Sequence, residues 1–528
     1  MGIVFIALSV LLAPVSEALG SSRFSFTDVI RAARVRSLRP YAPPAQVSQS
    51  LLNLSYDQYQ AIRFKPTKSL WYGSRRLFHV EPVPPGLYYR HCISMNVVNH
   101  RTISQLRFQK RDFTYPSRDV YRQMPDDSCI AGFKLTYPLR GAGIQNQFLV
   151  FAGASYFRAV GRLNRFGLSA RGIAINTAFP PAEEFPAFRR FWLLEPQPNL
   201  QTMTIYALLD GPSVTGAYRF RVAPGVSTNV VVNAVLFFRK TPRVIGIAPL
   251  TSMFFYGQGT PRPSGEWRPA VHDSDGLQIE NGNHEWLWRP LINPVGFLVS
   301  SFVLNNPLGF GLMQRDQRFP GYQDLEARYD LRPSAWVSPE GHWGRGHLEL
   351  VEIPSNSETE DNIVVYWVPD APPQPGHEYR YSYRVSFGRA GLARPPAGYV
   401  LHTFVGSGQN PGMPCTAAQD VLRFVVDFGG SFPPHIVAVD GVVSANASGQ
   451  VSQVSVMKNT ASAGYRLSFL VRVEPRHPLE LRAFLHRGRD ILTETWSYLM
   501  PWSNARRLLE APGCSASETR DDQLLQAP

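Results

Sequence analysis

Residues 379–387, YRYSYRVSF, alternate apolar or aromatic side chains with polar ones. Successive side chains of a β-strand point to opposite faces of the sheet, so this alternation is typical of a strand that covers a core on one side. The side chains expected on the core face are those of Tyr379, Tyr381 and Tyr383. The stretch therefore predicts an antiparallel sheet with one buried and one solvated face.

Comparable runs recur from about residue 70 to 387, separated by proline, glycine and asparagine. The clearest are FHVEPV (78–83), YRFRVAPG (218–225), NVVVNAVLFFRK (229–240), VGFLVSSFVL (295–304) and NIVVYWVP (362–369). The 45 prolines and 41 glycines are spread along the chain, as expected for many short strands joined by turns. We therefore predict an all-β fold whose first domain, residues 21–391, is a large β-sandwich.

A second, smaller domain is expected after residues 392–398, an aperiodic segment with two prolines that is typical of a linker. Beyond it, strand-like runs follow one another about a turn apart: LRFVVDF, HIVAVDGVVSA, QVSQVSVM, YRLSFLVRVEP and LELRAFLHRG. This spacing predicts a small immunoglobulin-like sandwich over residues 399–510, without the cysteine and tryptophan spacing of true immunoglobulin domains. The polar residues 511–528 are expected to be a disordered tail.

The first 20 residues contain an apolar run followed by small residues at Ser16, Ala18 and Gly20. This pattern predicts an export signal peptide, although no lysine or arginine precedes the apolar run. A buried N-terminal helix is the alternative. No later segment has the length of an apolar membrane span, so we expect a soluble exported protein or one loosely attached to a membrane surface.

Cysteine content and net charge further narrow the classes of protein to which this chain can belong. Four scattered cysteines, without a CxxC pair or zinc spacing, allow one or two disulfides of open connectivity and do not predict a structural metal. The formal charge of +13 arises from dispersed basic residues and not from a recognised nucleic-acid motif. Nucleic-acid binding is therefore not expected, and no cofactor motif is found.

Residues 267–288 combine acidic and aromatic side chains. His272, Asp273 and Asp275 lie between tryptophans, and the tryptophans are Trp267, Trp286 and Trp288. Flat apolar rings and carboxylates together suit a carbohydrate cleft, because sugar rings pack on the former and hydroxyl groups or protons engage the latter. The alternative is a polar loop between aromatic core residues. A divalent cation is a weaker interpretation, since adjacent positions on an extended loop point to opposite sides.

Two further acidic clusters follow, one in GYQDLEARYD (321–330) and one in PSNSETEDNIVVYW (354–367). Most such clusters are solvated turns. Asp361 is the strongest candidate because it lies where a polar loop becomes an apolar strand. A carboxyl group that is partly desolvated there can stay protonated near neutral pH and act as a general acid. Glycoside hydrolysis needs a pair of carboxyl groups, and their separation, which a sequence does not give, decides between inversion and retention.

Several long motifs carry a family resemblance. They are YDQYQAIRF, VHDSDGL, NGNHEWLWRPL, GFGLMQRD, YQDLEARY, RPSAWV, and LVEIP followed by ETEDNIVVYWVP. In this order and spacing they resemble the periplasmic glucan biosynthesis family OpgG/OpgD, also called MdoG/MdoD. The resemblance extends over nearly the whole mature chain. It implies a galactose-mutarotase-like first sandwich, a periplasmic location and a role in making osmoregulated β-1,2-linked glucans.

The resemblance also implies a glycoside hydrolase or transglycosylase that acts on β-1,2-glucan with inversion. Asp361 would then be the general acid, Asp273 the base, directly or through water, and Glu358 a supporting carboxylate. Substrate-binding roles are expected for Tyr256, Trp267, His272, Asp275, Trp286, Trp288, Arg289, Arg315, Tyr329 and Trp343. The rival hypothesis is a non-catalytic protein that guides nascent glucan chains. A contact with the membrane glucan synthase and a homodimer are left open.

Overall fold

The computed structural model describes residues 24–99, 102–124, 129–179, 182–408, 420–432 and 438–510. The predicted signal peptide (1–20) and disordered tail (511–528) lie outside these residues. Within them the chain forms many β-strands and only short helices, so the predicted all-β fold is confirmed. No helix in these ranges combines the length and the apolar character needed to cross a membrane.

The strands up to the predicted linker, β1–β25 in chain order, are Arg63–Phe64, His79–Val83, Ser94–Val98, Ile103–Gln105, Phe113–Thr114, Gly132–Tyr137, Asn146–Ala152, Tyr156–Ala159, Ser169–Arg171, Ile173–Ile175, Ala187–Leu194, Met203–Asp210, Val214–Ala223, Thr228–Phe238, Ile245–Ser252, Phe254–Tyr256, Val271–His272, Gly276–Glu280, Trp286–Pro290, Leu298–Asn305, Gly309–Met313, Ser334–Glu340, Arg345–Glu352, Ile363–Pro369 and Glu378–Gly388. The later strands, β26–β33, are Tyr399–Ser407, Val421–Gly429, Asp440–Ala445, Gly449–Asn459, Gly464–Val473, Leu479–Arg487, Asp490–Ile491 and Thr495–Met500.

The α-helices, α1–α5, are Phe26–Ser37, Gln49–Leu52, Tyr56–Gln60, Arg118–Gln123 and Trp502–Leu509. Short 3-10 helices span Pro66–Lys68, Lys110–Asp112, Phe319–Gly321, Tyr329–Leu331 and Ala390–Leu392. Helix α1 begins after Ser25, whose backbone N–H donates to the Asp28 carboxylate at 2.8 Å. Its Val29 and Ala33 are buried against the outer face of the large sandwich.

Two sheets form the large sandwich. One has the strand order β2-β6-β7-β8-β9-β15-β24-β23-β20, with β10 paired to β15. The other includes the order β19-β18-β21-β22-β25-β14-β13-β12-β11-β3-β4. Strand β25 carries the alternating stretch, and it pairs antiparallel with β14 through Val230 and Val385. Tyr383 on this strand is buried and Arg384 is exposed, which confirms the predicted alternation.

The core of the large sandwich lies between these sheets and is rich in phenylalanine. The rings of Phe133 and Phe191, from opposite sheets, lie 5.0 Å apart edge to face. Phe151 and Phe220 make the same kind of contact at 5.0 Å. Edge-to-face pairs of this kind stabilise beyond the burial of their area. The space between the two sheets is therefore filled by packed side chains.

A second, smaller sandwich follows. Strands β26-β27-β30-β29 form one of its sheets, and β28, β31 and β33 lie in the other. Phe424 and Phe469 from the first sheet pack on Trp496 of the second, with ring centroids 6.1 Å apart in both pairs. The predicted linker, residues 392–398, runs from the last residue of the final 3-10 helix to the residue before β26.

The two sandwiches share one continuous sheet. Strand β33 of the small sandwich pairs in parallel with β19 of the large one, matching Leu287 with Thr495 and Trp288 with Trp496. Backbone hydrogen bonds therefore cross from one sandwich to the other. The sequence gives no sign of this pairing, because the partner strands lie about two hundred positions apart and neither side of the pair has a distinctive pattern.

A disulfide joins Cys92 and Cys129. Cys92 precedes β3 in one sheet of the large sandwich, and Cys129 precedes β6 in the other. Neighbouring residues Ile93 and Ile130 form an isolated β-bridge, so the cross-link continues a backbone contact. The remaining cysteines, Cys415 and Cys514, lie outside the described residues. One of the disulfides allowed by the sequence is therefore present.

We expect a Cys92→Ser, Cys129→Ser double variant to lose about 2–4 kcal/mol of unfolding free energy, because the disulfide closes a loop of 37 residues in the unfolded chain. Denaturant unfolding under oxidising conditions measures this loss. Reducing agent should weaken the wild type more than the double variant; equal stability of the two proteins without reductant would contradict the expectation.

Candidate active site

Three predicted carboxylates lie in one neighbourhood at the rim of the large sandwich. Asp273 lies in the turn between β17 and β18, and Glu358 and Asp361 lie in the loop that leads into β24. The charge of Asp273 interacts with those of both Asp361 and Glu358. Residues about ninety positions apart in the sequence are therefore brought together by the packing of two sheets.

Asp361 lies on the wall of an open cleft. Its Oδ2 atom is 3.3 Å from Nη2 of Arg158 on β8, and Nε of Arg158 donates to Ser169 Oγ at 2.6 Å. The sequence predicts a partly desolvated carboxyl group, but this side chain is 34% exposed in the free protein. The reason is that β24 begins two residues later, which leaves Asp361 in the loop. Desolvation here requires a ligand that covers it.

The cleft has a volume of about 850 Å³. It is lined by tyrosines at 59, 88, 89 and 156 and by polar side chains including Gln60, Arg63 and Lys134. The Arg171 guanidinium lies 4.6 Å from the centre of the Tyr156 ring and fixes that ring. A concave site of this size, with aromatic faces and a few polar groups, suits a small ligand or a segment of a chain.

Asp273 is buried behind the cleft. Its Oδ1 atom lies 3.2 Å from Arg332 Nε, yet within the described residues it accepts no hydrogen bond. Burial raises the pKa of Asp273 to about 6, against the opposing effect of Arg332. Gly167 makes room for the pair, since a Cβ there would lie 3.0 Å from Arg332 Cδ and 3.3 Å from Asp273 Cγ. Asp273 is therefore a carboxylate at neutral pH with an increased affinity for protons.

Glu358 is held by two donors. Its Oε2 atom accepts from Arg268 Nη1 at 2.6 Å and from the Tyr329 hydroxyl at 3.0 Å. Arg268 also donates to Glu266 at 2.8 Å and to Asp324, from the second acidic cluster, at 3.0 Å. Burial and the neighbouring Glu358 raise the pKa of Tyr329, so this hydroxyl remains a donor. The network holds the Glu358 carboxylate in place, and Tyr329 contacts that carboxylate directly.

Three other predicted residues surround this network. Tyr256 is buried, and its hydroxyl donates to the Arg268 backbone oxygen at 3.1 Å. Trp267, the next residue to Arg268, is 66% exposed and leaves its indole available to a ligand. His272 is buried, with Nδ1 2.9 Å from Gln314 Oε1 and its ring stacked on Phe254. Burial lowers the pKa of His272 to about 4, so the imidazole is neutral.

Asp275 lies on the other side of the same turn. Its Oδ2 atom accepts the backbone N–H groups of Arg315 at 3.0 Å and Asp316 at 3.3 Å. Burial raises the pKa of Asp275 to about 7. It lines a cavity of about 60 Å³ together with His272 and with Tyr498 of the small sandwich. Asp275 therefore faces the contact between the sandwiches and not the open cleft.

Arg315 and Trp288 also belong to that contact. The Arg315 guanidinium lies 3.5 Å from the centre of the Trp288 ring. It donates two hydrogen bonds to Glu494 of the small sandwich, at 2.6 and 3.0 Å, and one to the Val400 backbone oxygen at 2.8 Å. Because Arg315 and Asp316 also hold Asp275, this pair connects the small sandwich with the turn that carries Asp273.

The remaining three predicted substrate-binding residues lie away from the cleft. Trp286 stacks on Trp336 with centroids 5.7 Å apart, at the junction of the sandwiches. Arg289 is 1% exposed and lies 3.4 Å from buried Glu352. Trp343 is buried in the large core, where its ring lies 6.1 Å from that of Trp367. The sequence placed them in one region of the chain, but their strands direct them into cores or to the junction.

Sequence reasoning missed the basic side chains of the site. Arg158, Arg268 and Arg332 each contact one of the three carboxylates. They are isolated arginines in strands or loops, and no spacing marks them. Of these three arginines, only Arg332 lies in one of the motifs that carry the family resemblance, RPSAWV. Among the described residues, no group of three histidine, cysteine or acidic side chains is arranged to hold a metal ion.

The two raised pKa values predict a stability change with pH. Between about pH 4 and pH 7 the unfolded chain releases the Asp273 and Asp275 protons before the folded protein does, so their contribution to stability falls as pH rises. An Asp275→Asn variant should lose less stability across this window than the wild type. Melting temperatures measured along a pH series test this, with Asp370→Asn, an exposed aspartate, as control. Parallel curves for the wild type and Asp275→Asn would contradict it.

Comparison with known proteins gives the family. Residues 24–500 match the family described as "Periplasmic glucan biosynthesis protein, MdoG". Glucans biosynthesis protein G of Ralstonia nicotianae is 42% identical over 501 residues, which is 94% of this chain and 99% of that protein. The predicted family is therefore confirmed.

Two solved structures are also similar over part of the chain. They are a galactose mutarotase related enzyme from Lactobacillus acidophilus (8% identity, 46% of this chain and 97% of that chain, TM-score 0.21) and a GalM/aldose epimerase homologue from C. elegans (11% identity, 57% and 99%, TM-score 0.19). The assignment of this chain to a family rests on the sequence matches and not on these two structures. The chain belongs to the MdoG family of periplasmic glucan biosynthesis proteins.

Proposed function

We propose that this protein cleaves or rearranges β-1,2-linked glucan in the periplasm by an anomer-inverting mechanism. The observation that supports the proposal is the convergence of Asp361, Asp273 and Glu358 beside a cleft of about 850 Å³. Two carboxyl groups with different surroundings, one open to the cleft and one buried, suit the roles of acid and base. The β-1,2 linkage follows from the family resemblance.

Asp361 is the general acid in this proposal. Burial of a carboxyl group favours its uncharged form, so a glucan chain that covers Asp361 would prepare it to donate a proton to the glycosidic oxygen. Arg158 contacts Asp361 at 3.3 Å and holds its carboxyl group at the cleft wall. The tyrosines of the cleft offer faces on which sugar rings pack.

Asp273 is the base, directly or through water. Its pKa of about 6 leaves it ionised at neutral pH and basic enough to accept a proton. Its Oδ1 atom accepts no hydrogen bond among the described residues, so it has capacity for a water molecule. Glu358 supports the site through Tyr329 and Arg268.

Export and partners belong to the same proposal. Residues 1–20 have the pattern of a signal peptide, and the Cys92–Cys129 disulfide suits an oxidising compartment. The glucan chain would come from a membrane glucan synthase.

The alternative is a glucan-binding protein without catalysis. It is favoured by the surroundings of Asp361, which is one-third exposed and already contacts Arg158 at 3.3 Å, so the carboxyl group has a structural partner independent of any reaction. The aromatic cleft would serve this function equally well.

Incubation of the purified protein with linear β-1,2-glucan distinguishes the two functions. Cleavage shortens the chains, transfer redistributes their lengths, and ring formation gives products lighter by one water. We expect one of these changes. Retention of glucan by the protein with an unchanged chain-length distribution over long incubation would reject catalysis and favour the binding function.

A further inference from the structure

A second cavity, of about 600 Å³, lies where the two sandwiches join. It is formed by the turn before β19, by strands β28, β31 and β33, and by residues 395–397 of the connecting segment. None of its lining residues belongs to the cleft of Asp361. It is therefore a separate concave surface that the proposed catalytic site does not use.

Apolar faces line part of this cavity. The Trp286 indole is half-buried and lies nearly parallel to that of Trp336, at an angle of 14°, so its orientation is fixed. Phe484 and Ile491 line the same cavity, and Ile491 is 66% exposed. A fixed aromatic ring beside one exposed and one half-buried apolar side chain is a surface on which the faces of sugar rings pack.

Polar groups beside Trp286 are also held in place. The Glu285 carboxylate accepts from Arg482 Nη2 at 2.8 Å, from Thr495 Oγ1 at 3.0 Å and from Asn281 Nδ2 at 3.1 Å. Ser444 on β28 lies directly opposite Arg482. Glu285 and Arg482 are both partly exposed, so their remaining donor and acceptor positions are accessible to hydroxyl groups.

The charges at this cavity balance. Arg482 is paired with Glu285, and Glu494, which also lines the cavity, is paired with Arg315. A site for an anion or a nucleic acid would carry excess positive charge, and this one does not. A neutral ligand rich in hydroxyl groups fits the combination of ordered polar groups and aromatic faces, and glucan is such a ligand.

We propose that the junction cavity is a second glucan-binding site, which holds a segment of chain away from the cleft of Asp361. This inference rests on the part of the proposed function that makes glucan a ligand of the protein, and it does not require that the protein cleaves glucan. Trp286 would then be a sugar platform of this second site.

Hydrogen exchange tests the proposal in the full-length protein carrying Asp361→Asn, with linear β-1,2-glucan as the probe. We expect glucan to protect the amide hydrogens of residues 283–286, Ala397 and 482–495 as well as those near the cleft. Adding Ser444→Trp, which fills the cavity from an exposed strand position, should abolish protection at the junction and retain it at the cleft. Ser452→Trp, exposed on neighbouring β29, is the control and should change neither.

Protection at the cleft alone, or junction protection that survives Ser444→Trp, would overturn the second site and leave the proposed function intact. Absence of protection in both regions, in this variant and also in the wild type, would overturn both. Sedimentation of each variant without glucan adds one outcome: a change in subunit number on Ser444→Trp would identify the cavity as a protein contact and overturn the proposal.

Discussion

Replacing Asp361 with asparagine should reduce the rate of glucan cleavage by a factor of about 10²–10⁴, the usual contribution of a general acid. Asparagine keeps the size of the side chain but has no acidic proton to donate. Glucan affinity should change little, because the tyrosine faces of the cleft remain. Initial rates on linear β-1,2-glucan, together with binding measured by calorimetry, separate these two effects.

Asp370→Asn is the matched control for this variant. Asp361 precedes strand β24, and Asp370 follows it with an exposed side chain. The control should retain wild-type activity. Full activity of Asp361→Asn would reject Asp361 as the acid, whereas loss of glucan affinity together with activity would indicate a binding role for the carboxylate.

Glu494→Ala should lower the unfolding free energy by about 3–5 kcal/mol, the usual cost of leaving a buried partner charge unpaired. Glu494 accepts two hydrogen bonds from Arg315 and one from the Val400 backbone N–H at 2.8 Å. The variant leaves the Arg315 guanidinium buried against Trp288 without its counter-ion. Denaturant unfolding followed by tryptophan fluorescence measures the loss.

An exposed ion pair provides the comparison for this experiment. Arg345 and Asp370 lie 3.6 Å apart with both side chains more than half exposed. Asp370→Ala should therefore cost about 1 kcal/mol or less. A loss for Glu494→Ala that is no larger than that of the control would show that the contact between the sandwiches does not depend on the Arg315–Glu494 pair.

The sequence was sufficient for the all-β class and for much of the strand content. Alternation identifies β25 because its pattern follows the period of two that burial on one face requires, and Tyr383 and Arg384 lie on the expected sides. Parallel pairing of β19 with β33 was not predictable. Strand partners distant in sequence are chosen by the packing of whole sheets, which no local pattern encodes.

The site was predictable in part. Polar loops that adjoin strands marked Asp273, Glu358 and Asp361, and the structure brings these three together. The same reasoning could not distinguish cleft aromatics from core aromatics. Trp267 and Trp343 have similar sequence surroundings, yet one is 66% exposed and the other is buried against Trp367. Whether a ring is exposed depends on which other parts of the fold pack over it, and the sequence of one segment does not show this.

The configuration of the first product tests the central claim most directly. If Asp361 protonates the glycosidic oxygen while Asp273 activates water on the opposite face of the sugar, the bond is cleaved with inversion. Proton NMR of linear β-1,2-glucan during the first minutes after addition of the protein should then show new reducing ends in the α configuration. New ends that appear first in the β configuration, or an absence of new ends together with an unchanged chain-length distribution, would contradict the account.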